Sequence, residues 1–216
     1  GIVTGNDNKY LNHVQLTPDF KKAIRGKDIK RYSYPIESEY VNYQKSELLR
    51  ARDENIFTSC EKLIMQMINI NFIITYDNRQ FYNLGTTYAF TKKDKADLEL
   101  KYLLAILNSK LIGYYYIKKF TNESLLTNAI STQNLFKIPI VKIDSSEQSR
   151  FIFFTDVMLS LNQELQEISS KFQRTLQRKF ELDSLPKKLE NWYELSFAEF
   201  VKELAKKKVK LSLSEE

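Results

Sequence analysis

Apolar residues recur along this chain at more than one period, and the changes of period divide it. From Leu98 to Ile112, the residues Leu100, Leu103, Leu104, Leu107, Leu111 and Ile112 stand three and four apart, the spacing of one buried helix face. Asn108, Ser109 and Gly113 can interrupt that face, which predicts a helical hairpin or a single broken helix. The segment closes in Leu135-Phe136-Lys137-Ile138-Pro139-Ile140, with too few apolar positions for a helix and a proline that lacks an amide proton; it predicts a strand. Upstream, the apolar runs are short. Ile2-Val3 is closed by a turn at Gly5 to Asn8, Tyr10 to Leu16 reads as a return strand, and Glu61 to Ile68, Phe72 to Asp77 and Leu84 to Phe90 read as three more. Asp77 to Gln80 is a turn, Thr91 to Asp97 a charged connector, and Tyr34 to Asn55 a polar excursion with one helix around Ser46 to Asp53.

The last third has a purely helical pattern. From Phe154, the residues Met158, Leu161, Leu165, Ile168 and Phe172 alternate spacings of four and three, the seam of a coiled coil or of a long helix packed on its own domain. Leu185 to Tyr193 predicts a short helix with Pro186 in its first turn. Ser196 and Glu199 form a capping box for a final helix with Phe197, Phe200, Val201 and Leu204 on one face, ending in Lys206 to Lys208. The fold class is therefore α/β of the mixed α+β kind. A strand-rich domain with an internal helical element spans residues 1–144, a long coiled-coil-like helix spans 145–180, and a helical tail spans 181–216.

With 216 residues, 43% of them hydrophobic, the chain can bury a real core. Its net charge of +6 suits a polyanionic partner without requiring one. Cys60 is the single cysteine, which excludes an internal disulfide or a thiolate metal cage and points to a reducing cytoplasm. It reads as a small buried hydrophobe. No apolar run reaches the roughly 20 residues that span a bilayer, so no membrane partner is expected. The chain starts at Gly1 without a methionine, as a fragment or processed product would.

Two stretches have the chemistry to meet nucleic acid. Thr4, Asn6, Asn8 and Lys9 belong to a loop whose donors and acceptors suit phosphates or base edges; a solvated turn accounts for them equally well. Lys21, Lys22, Arg25, Lys27, Lys30 and Arg31 oppose only Asp28, and Gly26 permits a sharp turn. Arg25 and Arg31 have planar forks that suit a guanine edge, with Asp28 to orient one of them or accept from a cytosine amine. The alternative is a helix end followed by a charged surface turn. Arg79 and Gln80 on the turn after Asp77, and Lys118 and Asn122 after the helical element, are further candidates for groove contact. His13 has no second histidine or cysteine cluster beside it, and neither Glu37 and Glu39 near Lys45 nor Asp53-Glu54 has the setting of a metal nuclease centre. No catalytic residue and no metal site is assigned.

Taken in order, Gly1-Ile-Val-Thr-Gly-Asn6, Ile24-Arg-Gly-Lys-Asp-Ile-Lys-Arg-Tyr32, Glu61-Lys-Leu-Ile64, Tyr76-Asp77, Tyr102-Leu-Leu-Ala-Ile-Leu-Asn-Ser-Lys-Leu111 and Phe136-Lys-Ile-Pro-Ile140 resemble the TaqI-type specificity domain. That domain is the carboxy-terminal part of single-chain type IIG restriction-modification enzymes and related adenine methyltransferases. The resemblance implies a target-recognition module that reads a short duplex sequence while a separate methyltransferase domain or subunit, using S-adenosylmethionine, modifies the base. It places DNA contact on Arg25 to Arg31 and, more weakly, on Thr4 to Lys9, and makes the long helix a spacer that meets the methyltransferase. The Asn-Pro-Pro-aromatic catalytic segment and glycine-rich cofactor loop of such enzymes do not occur here, since Pro18, Pro35, Pro139 and Pro186 stand singly. The chain is thus expected to bind DNA and to need no cofactor of its own. The rival expectation is a protein-interaction or oligomerisation module built on the heptad helix.

Overall fold

The computed structural model describes residues 1–33, 39–121 and 129–211. The chain is mixed α/β and divides into two compact units, Gly1–Leu159 and Ser160–Glu216. The first unit runs through α1 (Asp7–Tyr10), β1 (Leu11–Asn12), β2 (Phe20–Ile24), β3 (Glu39–Asn42), α2 (Asn55–Thr58), β4 (Lys62–Gln66), β5 (Ile74–Asp77), β6 (Tyr82–Asn83), β7 (Thr87–Phe90), α3 (Leu100–Leu107), α4 (Lys110–Phe120) and α5 (Thr132–Leu135). The long helix α6 (Ser145–Lys179) follows, then a 3-10 segment at Lys187–Glu194 and α7 (Phe197–Ala205).

Two small sheets organise the first unit. One has the order β1-β3-β2-β6, with β2 antiparallel to β3 and parallel to β6; the other is β5-β4-β7, antiparallel throughout. Ile2, Tyr10, Ala23, Val41, Phe57 and Tyr82 form the core beside the first sheet. Leu63, Met65 and Ile74 of the second, with Phe72 just before β5, pack on Leu100, Leu104, Leu107 and Ile112. Ile24, Ile29, Ile64 and Phe81 form a small cluster drawing on both sheets.

The hairpin of helices is present, and Asn108 with Ser109 makes the break. Ser109 caps α4 by accepting from the Ile112 amide at 3.2 Å. Asn108 also braces the neighbouring sheet, because its side-chain amide accepts from Ile74 N at 3.1 Å and donates to Ile74 O at 2.9 Å, satisfying the backbone of the edge strand β5. Leu111 is exposed, because the break turns it off the buried face.

Four expectations need correction. Leu135 to Ile140 is not a strand: α5 ends at Leu135, and the amides of Phe136, Lys137 and Ile138 bond to carbonyls three or four residues back, leaving them none for a sheet. Tyr10 to Leu16 yields only β1, since α1 takes Tyr10 and the Asn12 side chain accepts from Val14 N at 2.9 Å and turns the chain. Of Leu84 to Phe90 only Thr87–Phe90 forms a strand, β7 of the second sheet, because the chain turns at Gly85-Thr86, and Leu84, following β6 of the first sheet, makes a lone bridge to Ile2. No helix forms over Ser46 to Asp53, where Arg50 instead makes an antiparallel bridge to Val3.

A buried ion pair fixes the turn after β5. Lys62 and Asp77 are wholly buried, with Lys62 Nζ 2.6 Å from Asp77 Oδ2 and 2.8 Å from the Phe57 carbonyl. The Asp77 carboxylate also accepts from Arg79 N at 2.8 Å and Phe81 N at 2.9 Å, so each charge has further hydrogen-bond partners beside the other. Burial holds the Lys62 ammonium below its usual pKa, and Asp77 opposes that shift.

The first turns of α6 pack against α3 within the first unit. Gln148 accepts from Glu99 N and donates to Asp97 O, both at 2.9 Å, Thr155 donates to Lys101 O at 3.0 Å, and the Phe151 ring meets Tyr102 edge-on. In the second unit Phe172 contacts Trp192 and Phe200, and Leu176, Leu189 and Leu204 are buried. The capping box at Ser196 and Glu199 is formed as expected.

Candidate nucleic-acid interface

The basic segment lies on a strand and a tight turn rather than on a helix end. β2 delivers Arg25 at its exit, and the 3-10 turn Gly26–Asp28 follows. A Cβ on Gly26 would stand 2.8 Å from the Thr86 carbonyl oxygen, so only glycine allows this approach between turn and neighbouring backbone. Lys22, Lys27 and Lys30 are exposed.

Arg25 is held from two sides. Its Nε donates to Glu39 Oε2 at 2.7 Å, and Nη2 donates to Asp7 Oδ2 at 3.0 Å. The carboxylates beside it are therefore Asp7 and Glu39, whereas Asp28 only gives its backbone amide to the Arg25 carbonyl at 3.1 Å. Burial by itself would lower the Arg25 pKa, but the bonds to Glu39 and Asp7 outweigh it and raise it. The bond from the Thr4 hydroxyl is the largest influence on Asp7; with help from Arg25 it lowers the carboxyl pKa against the opposing effect of burial.

The Thr4 to Lys9 loop thus converges on the basic segment. Thr4 is buried and orients Asp7; Asn6 caps α1 by accepting from Lys9 N at 3.2 Å. Lys9 pairs with Glu47 at 2.9 Å and donates to the Tyr10 hydroxyl at 2.8 Å, while Asn8 is exposed. Asp7, Arg25 and Glu39 line an open cleft of about 330 Å³ together with Asn8, Asn12 and His13.

The other candidates lie elsewhere in the fold. Arg31 is half-buried, with Nε donating to the Phe72 carbonyl at 3.0 Å just before β5, and Tyr32 (φ 58°) gives its amide to Ile74 O in β5 at 3.1 Å. Arg79 is exposed on the turn braced by Asp77, and Gln80 (φ 58°) donates its side-chain amide to Thr58 O at 2.8 Å. Lys118 is exposed in the last turn of α4. Asn122 and Glu37 lie outside the described residues. Glu39, Asn12 and His13 were not grouped with Arg25 by sequence; the only signal was the charge of Glu39, which local spacing could not connect to Arg25.

Cys60 is exposed, contrary to the expectation of a buried hydrophobe. Among the described residues, no group of three or more histidine, cysteine, aspartate or glutamate side chains could hold a metal ion, and no helix is long and apolar enough to cross a membrane. Residues 21–140 match the family model of the TaqI-like C-terminal specificity domain, and residues 144–216 match that of a domain of unknown function, DUF8810. No curated protein matches the chain.

Proposed function

We propose, from the premise that this chain belongs to the family of TaqI-like C-terminal specificity domains, that it selects a short duplex DNA sequence for a methyltransferase that modifies adenine. DNA target recognition in restriction-modification enzymes is the role this family implies. The observation that carries the reading to particular residues is the convergence of the Thr4 to Lys9 loop and the β2 exit on one cleft, in a stretch of chain that also exposes Lys22, Lys27 and Lys30, inside or next to the matched region.

The division of labour follows from charge. Exposed lysines meet phosphates, fix register, and make affinity fall with salt by a log–log slope of about 0.9 per neutralised phosphate. Arg25, Asn8 and the Arg79-Gln80 turn read base edges, with Lys118 and Asn122 as further candidate contacts. Arg31 acts from behind, holding the segment to the Phe72 backbone just ahead of β5. The methyltransferase, whether in the same parent chain or in a separate subunit, binds S-adenosylmethionine and receives the flipped adenine. In this scheme residues 1–144 recognise DNA, while 145–180 and 181–216 supply the helical attachment.

Exposed apolar residues on α6 support that attachment. Phe153, Phe154 and Met158 in the first unit, and Leu161, Leu165 and Ile168 in the second, are all 36% exposed or more, enough to call for a covering partner. The same residues favour one second reading, self-association through the heptad row. Fluorescence anisotropy on random duplexes, with light scattering of the same samples, tests both. DNA recognition requires binding that weakens with salt and survives Leu161→Glu and Leu165→Glu. A dimer lost in those variants, with no DNA bound by the parent at low salt, would favour self-association.

A further inference from the structure

We propose that Asp7 and Glu39 are positioning residues that set Arg25 to read the guanine of a G·C pair from the major groove; this deepens the DNA-recognition reading and rests on it. An arginine on a surface ordinarily samples many rotamers, and binding must freeze them. Here Glu39 and Asp7 already hold the guanidinium by Nε and Nη2, and the antiparallel pairing of β2 with β3 sets Glu39 opposite Ala23, two residues before Arg25. Those bonds engage two of the five guanidinium N–H groups. Nη1 and the second Nη2 hydrogen remain, parallel donors whose spacing matches O6 and N7 of guanine.

The cleft's charge selects a base edge over the backbone. Two carboxylates around one guanidinium leave an excess of one negative charge, which repels a phosphate, while Asp7 is open to solvent on one side. A guanine edge is neutral and offers only acceptors toward the fork. Its paired cytosine presents an N4 amine, a donor that suits a neighbouring carboxylate. An adenine would turn its own N6 donor toward the arginine, and thymine offers a single acceptor beside a methyl group. Asn8 and Asn12 at the same cleft supply amides for the adjacent step.

The test uses the whole chain and the duplex it selects from a random pool. Arg25→Ala lowers the preference for guanine at one position by about 5- to 150-fold and leaves preferences elsewhere intact. Glu39→Ala shows the same positional loss, and Glu39→Gln, which keeps an acceptor oxygen, restores part of it. Replacing that guanine by 7-deazaguanine weakens the unaltered protein and leaves Arg25→Ala unaffected, an arm that stands even where Arg25→Ala melts early. Arg25→Ala losing affinity equally for every base, or 7-deazaguanine binding as well as guanine at every selected position, overturns the assignment. Retained guanine preference in a folded Arg25→Ala overturns it while leaving DNA recognition standing; no preference of any kind in the unaltered protein removes both.

Discussion

Asp77→Asn removes the negative partner of a lysine that has no access to water. Lys62 and Asp77 are 0% exposed and 2.6 Å apart, and the ammonium's other contact is the neutral Phe57 carbonyl. An asparagine there keeps one acceptor where the carboxylate serves Lys62, Arg79 N and Phe81 N together, and its amide hydrogens point at donors. Stranding one charge of a buried pair costs about 3–5 kcal/mol. For a chain of this size each kcal/mol lowers Tm by about 2–4 °C, giving a fall of about 6–20 °C. Urea unfolding followed by circular dichroism should show a lower midpoint with an unchanged slope. Lys62→Met combined with Asp77→Asn should recover much of the loss, because no charge is then left unpaired. A single variant within about 1 kcal/mol of the parent, or a double variant losing the sum of the two single losses, would refute the assignment of this pair as what holds the Asp77 to Gln80 turn.

Asn108→Ala strips the Ile74 amide of its acceptor and should cost about 1–3 kcal/mol, read as early amide exchange in β5; unchanged exchange there would contradict it. Ser196→Ala removes the capping hydroxyl of α7 and should cost about 1 kcal/mol, with faster exchange in the first turn of that helix and none in the first unit. Lys27→Ala should reduce the salt slope of duplex binding by about 0.9 without altering base preference or melting temperature. Asp7 has a folded-state pKa below its ordinary 3.8. Between those two values the unfolded chain binds more protons, so stability rises with pH. The contribution of Asp7 is therefore complete above pH 3.8 and lost as pH falls through the depressed value; the gap in stability between the parent and Asp7→Asn should close only in that acid window.

Local signals were the legible ones. The three-and-four spacing of Leu100, Leu104 and Leu107, the break at Asn108-Ser109 and the Ser196 to Glu199 box each depend on residues a turn apart, and each formed. Long-range pairing was not legible. Asp7 is 18 residues from Arg25, and Glu39 is 14 away; nothing in the periodicity connects them until β2 pairs with β3. Lys62 shows the same problem, since a lysine opening a strand reads as a solvent face until Asp77, 15 positions on, is brought opposite by the β4–β5 register. Leu135 to Ile140 failed for another reason. Four apolar residues around a proline suit a strand or a buried turn alike, and only the packing of Leu135 and Ile138 on the α3–α4 core decides.

The central claim is that this chain distinguishes one duplex sequence from another. Repeated selection from random duplexes at low salt, followed by sequencing of the bound pool, tests it most directly. DNA recognition predicts a short consensus containing at least one guanine that Arg25→Ala relaxes; a pool that remains as random as the starting library would contradict it.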